Sequence, residues 1–93
     1  MSLDFSYLSD KGGIFPKYTL VDRDSSLFEA AFSDLQEKTG VFIDPYGTTR
    51  IYPDHQRLLI SFLSGSFHPT VRAFVAYLAE AASRDAALLA NGD

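Results

Sequence analysis

The chain reads as an α+β domain, a small antiparallel sheet packed on three helices in the order β-α-β-β-α-α. Three observations predict this. Apolar residues recur at helical spacing in three separate stretches. Between the first and second of these, a turn containing Pro45 and Gly47 is flanked by residues that alternate apolar and polar, the pattern of a β-hairpin. Finally, 93 residues that are 46 % hydrophobic, with eight Phe and five Tyr, suffice for one core but not for two, so residues 1–93 are expected to form a single domain.

Residues 1–12 read as a polar N-terminal arm, separated from the rest by Gly12 and Gly13. Its start, Met1-Ser2-Leu3-Asp4, has neither the basic region nor the long apolar stretch of a signal peptide. Ile14 to Val21 alternates loosely and contains Tyr18 and Thr19, so it reads as a strand over about 14–21. Pro16 cannot donate to a ladder and demotes that strand to a sheet edge.

A polar break at Asp22 to Ser26 precedes a helix over about 27–39. Ser26 and Glu29 have the spacing of a capping box. Leu27, Phe28, Ala31, Phe32 and Leu35 form its apolar face, and Gly40 is a good C-terminal stop because glycine accepts the left-handed conformation cheaply.

The hairpin is expected over 41–44 and 49–52. Asp44 hydrogen-bonds the turn, Pro45 takes its first corner, and Gly47 takes a left-handed position. Alternation then turns Val41, Ile43, Thr49 and Ile51 to the core. It turns Phe42, Asp44, Thr48, Arg50 and Tyr52 the other way, with Phe42 opposite Arg50.

Pro53 and Asp54 suit the first turn of a helix over about 53–64, with Leu58, Leu59, Phe62 and Leu63 buried. Ser64-Gly65-Ser66 ends it. His68 and Pro69 open a third helix over about 69–89, with Val71, Phe74, Val75, Leu78, Ala81 and Ala82 on one face and Asp85 interrupting the stripe. Residues 91–93 read as a mobile tail.

Several function classes are disfavoured. The eight Lys and Arg are scattered singly, and a net charge of −4 supplies no basic stripe for phosphates, so no nucleic-acid partner is expected. No apolar run approaches the ~20 residues of a membrane span. The absence of cysteine removes disulfides and thiolate metal sites and fits a cytoplasmic setting. No metal site is expected from His55, His68, Asp44 and Asp54, because adjacent residues such as Asp54 and His55 leave a helix ~100° apart. No cofactor motif is present. Gly12-Gly13 lacks both the dinucleotide pattern and the P-loop ending.

What remains is a recognition surface. Phe42, Asp44, Tyr46, Arg50 and Tyr52 place aromatics and an arginine on a rigid turn, the composition of interface hot spots. The ordinary alternative is a solvated face, with Phe42 under the Arg50 stem or covered by the arm through Phe5, Tyr7 and Leu8.

The leading expectation is thus a non-enzymatic protein-binding domain, with a basic partner favoured by the acidic balance. In size and charge alone the chain is similar to small bacterial inhibitor and immunity proteins, which cover a toxin's active site. No catalytic set is assigned. The nearest approach is Asp44 with His55, a carboxylate beside a general base, and with Arg50 these could surround a pocket in an enzyme or ligand-binding domain. A third reading is a structural homodimer formed through the apolar stripe of the helix at 69–89.

Overall fold

The computed structural model describes residues 2–10 and 12–92. Its elements are β1 (Ser2–Tyr7), β2 (Tyr18–Val21), a 3-10 turn (Asp22–Leu27), α1 (Glu29–Thr39), β3 (Thr48–Ile51), α2 (Pro53–Leu63), α3 (Pro69–Ser83) and β4 (Leu88–Gly92). The four strands form one antiparallel sheet in the order β2-β1-β4-β3. The α+β class, the antiparallel sheet and its packing on three helices are as the sequence predicts. The expected β-α-β-β-α-α order is matched by β2, α1, β3, α2 and α3, with the irregular segment 41–44 in place of the first hairpin strand. The structure adds a strand at each end.

Those two strands are the main corrections. Ser2–Tyr7 is no polar arm but an inner strand, burying Leu3, Phe5 and Tyr7 between more exposed Asp4 and Ser6. Asn91 and Gly92 are no tail but the end of β4, and Asp93 lies outside the described residues. The third helix does not reach residue 89. It stops at Ser83, where Asp85 takes a left-handed φ of 52°. The Asp85 N–H donates to the Ala82 carbonyl and the Ala86 N–H to the Ala81 carbonyl, the two bonds of a Schellman stop. Ala86 to Ala90 has helical propensity, but β1 and β3 flank it on both sides and pairing overrides propensity.

The expected hairpin is the other correction. Val41–Asp44 joins no ladder, because β3 pairs instead with β4, Ile51 opposite Leu88 and Thr48 opposite Asn91. The edge strand is shorter than expected, Tyr18–Val21, with Ile14 and Pro16 exposed before it, but it does lie at a sheet edge. The Ser26–Glu29 capping box is not formed. A 3-10 turn occupies 22–27 and Phe28 takes the N-cap position of α1 without a side-chain bond. Gly40 does close that helix with a left-handed φ of 79°.

All the buried sheet positions lie on the helix side: Leu3, Phe5 and Tyr7 from β1, Leu20 from β2, Leu88 and Ala90 from β4, and Ile51 from β3. Phe74 of α3 sits at the centre, its ring centroid 5.0 Å from Phe5 and 5.1 Å from Phe28. Leu35, Leu59 and Leu78 complete the core from the three helices. Val71, Phe74, Leu78 and Ala81 of α3 are all buried in it, so the stripe offered for a homodimer is spent inside the protein.

Among the described residues, Gln56 is the polar side chain that is fully buried. Gln56 of α2 donates from Nε2 to the Ile51 carbonyl at 2.9 Å and to the Ala86 carbonyl at 2.8 Å, stapling the end of β3 to the connection that leads into β4. Tyr77 and Tyr18 tie α3 down in the same way. The Tyr77 hydroxyl lies 3.2 Å from the Phe5 carbonyl and 3.0 Å from that of Pro16, and Tyr18 donates to the Thr70 carbonyl at 3.2 Å.

Candidate functional site

The segment 42–46 is held by side chains rather than by a ladder. The Thr49 hydroxyl donates to the Phe42 carbonyl at 3.0 Å and accepts the Asp44 N–H at 3.2 Å. Asp44 Oδ1 accepts the Tyr46 N–H at 2.9 Å, an Asx turn that leads the chain around Pro45. Gly47 then closes the turn without a left-handed φ, and its carbonyl accepts the Gly92 N–H at 2.7 Å. Ile43 is buried beneath this clasp. Phe42 before it is 54 % exposed, and Tyr46 at the tip of the turn is 68 % exposed. The in-and-out alternation expected from the sequence therefore persists, although no strand generates it.

The five residues singled out from the sequence do not share one face. Tyr52 stands past the end of β3 as the N-cap residue of α2, exposed beside His55, whereas Arg50 lies on the uncovered side of the sheet, opposite Leu89 of β4. Thr19, Asp4, Asn91 and Thr48 cross that side in one row, with the Thr19 hydroxyl donating to Asp4 Oδ1 at 2.8 Å. Phe42 lies off the sheet's edge and makes no cation–π pair with Arg50 among the described residues. Asp44 is occupied by its own turn.

His55 caps α2. Its Nδ1 accepts the Tyr52 N–H at 3.4 Å, and its ring meets Tyr52 edge-on. Asp54 is paired with Arg57 at 3.0 Å on the surface. No hydrogen bond or ion pair among the described residues joins Asp44, Arg50 and His55, and none of the three lines a described cavity. His68 caps α3, its Nδ1 accepting the Thr70 N–H at 3.2 Å. Among the described residues no three His, Asp or Glu side chains gather as a metal would need, and no helix is long and apolar enough to cross a membrane.

An apolar groove lies elsewhere than expected. It runs between the 42–45 segment and α1, not α2, with a volume of 430 Å³. Leu3, Leu20 and Ile43 form its floor, Phe32 and Phe42 its sides, and Asp22 and Glu29 stand among the polar groups at its rim. A narrower extension of 40 Å³ continues past Leu3 and Leu20 towards Ser2 and Pro45. Phe42 and Pro45 are thus shared by the turn and the groove. The sequence reading missed Phe32, Glu29 and Asp22. Phe32 belongs to the apolar stripe of its helix, and the half-buried margin of a stripe is where such a wall belongs.

Three tyrosines titrate high. Burial pushes Tyr77 up to about 12, with Tyr7 adding to the effect. Burial also raises Tyr18, and it raises Tyr7 against the opposing charge of Arg84. All three sit on the helix side of the sheet and serve packing.

Comparison with protein-family models, with curated proteins and with solved structures finds no match for this chain. The surface itself therefore carries the functional reading.

Proposed function

We propose that the chain is a non-enzymatic protein-binding domain whose contact surface is centred on the 42–46 turn. One observation supports this above the rest: two large aromatics, Phe42 and Tyr46, stand in solvent on a backbone clasped by Thr49, Asp44 and Gly92. An aromatic ring held ready in this way loses little entropy on binding and removes a large apolar area from water. Arg50, on the uncovered sheet face, and Tyr52, at the start of α2, lie around the corner and belong to the rim of such a contact rather than to its centre. The enzyme reading has less support, since Asp44, Arg50 and His55 are each engaged or placed separately.

Site-specific photo-crosslinking tests the proposal. A benzophenone amino acid is placed at position 46, and a control at position 79 on the exposed side of α3. The expected result is a discrete adduct from position 46 in the native host, weakened by Phe42→Ala, with none from position 79. Equal labelling from both positions, or no adduct from position 46, overturns the reading.

A further inference from the structure

From the groove beside the turn we infer the chemistry of the partner: it inserts a short extended segment in which a bulky apolar side chain is flanked by lysine or arginine. This rests on the protein-binding reading above and assigns the groove to the bound segment.

The argument is one of complementarity. The floor and sides are apolar, from Leu3, Leu20, Ile43, Phe32 and Phe42, so the central group must be apolar to gain from burial there. The charged groups lining the groove are Asp22 and Glu29, both acidic, and no lysine or arginine lines it among the described residues. Neither carboxylate has an ion-pair or hydrogen-bond partner among the described residues, so both are available to a cation on the partner.

The side chains of α1 that face the groove are Glu29, Phe32, Ser33 and Gln36, one stripe of the helix spanning about 10 Å. That length matches about three residues of extended chain. The occupant is therefore a tripeptide-sized stretch rather than a helix, with its apolar residue between the two phenylalanines and a basic residue reaching Glu29 or Asp22. The net charge of −4 would draw such a partner in at long range.

The test is an NMR titration of the 15N-labelled full chain with three capped tripeptides: Lys-Phe-Lys, Gln-Phe-Gln and Glu-Phe-Glu. The expected result is that Lys-Phe-Lys shifts the amides of residues 29–36 and 42–45 and binds about tenfold more tightly than Glu-Phe-Glu at low salt, with the contrast shrinking at high salt. Phe42→Ala is expected to weaken all three. Glu29→Gln with Asp22→Asn is expected to remove only the preference for charge. These three positions are exposed, and an unchanged amide spectrum elsewhere shows that the variants fold.

Equal binding of the three peptides overturns the charge assignment. Shifts confined to the uncovered sheet face around Asp4, Arg50 and Leu89 overturn the groove. Shifts of the groove amides on concentrating the protein alone would make the occupant a second copy and overturn the inference as well. No shift with any peptide at millimolar concentration overturns it too, while an adduct at position 46 would keep the broader reading.

Discussion

Asp85 and Gly92 show how single positions set this fold. Asp85 ends α3 in the left-handed region, where a Cβ is costly, and it stands where glycine is usual. Asp85→Gly is expected to be more stable than Asp85→Ala by about 1 kcal/mol, read from urea midpoints at constant slope. Equal midpoints would show that the backbone there carries no strain. Gly92 is constrained for a different reason: a Cβ would run into the Pro45 carbonyl. Gly92→Ala is expected to cost about 2 kcal/mol and to loosen the turn, since the Gly92 N–H also holds Gly47. Calorimetry checks the first effect, and amide exchange at Tyr46 checks the second.

The segment 41–44 and the strand β4 illustrate what a sequence can and cannot convey about an element. Alternation correctly separated Ile43 and Ile51 from Phe42, Arg50 and Tyr52, because which side is apolar is written in the residues themselves. Which backbone pairs with β3 is not written locally. The nearer segment, 41–44, loses to β4, a distant stretch rich in alanine and leucine whose own preference is helical. The strand at Ser2–Tyr7, by contrast, is written locally, because Leu3, Phe5 and Tyr7 alternate with Asp4 and Ser6 at strand period. Of the candidate site, Phe42 and Tyr46 were legible as exposed aromatics on a turn. The groove was not, since it depends on where α1 lies against β1 and β2. The clasp makes its own prediction at this scale. Thr49→Val keeps the shape of the side chain but removes the hydroxyl shared by Phe42 and Asp44. It is expected to cost about 1–2 kcal/mol and to speed amide exchange at Asp44 while the β3–β4 ladder stays protected. Unchanged exchange at Asp44 would mean that the buried Ile43 alone holds the segment.

For the whole molecule, the buried tyrosines set an alkaline limit. Tyr77 binds its proton more tightly folded than unfolded, so its contribution is intact below pH 10 and is lost as the pH rises from about 10 towards about 12. The loss is expected to be on the order of 2 kcal/mol, and Tyr7 and Tyr18 act in the same direction. Urea midpoints at pH 8 and pH 11.5 measure it. Tyr77→Phe is expected to reduce the drop while lowering stability at pH 8, because the bonds to Phe5 and Pro16 are gone. The same drop in wild type and variant would assign it to other groups. The position of β4 in the sheet also bears on how the protein is made. Ribosomes deliver Leu88–Gly92 after every other strand, yet these residues occupy the middle of the sheet. A nascent chain halted at Asp85 would hold a lone β1–β2 pair and an orphaned β3, with the backbone edges of β1 and β3 that face β4 left unpaired. Until Leu88–Gly92 is in place between β1 and β3, the sheet stays in two pieces whose unpaired backbone edges invite association, and the fold cannot close.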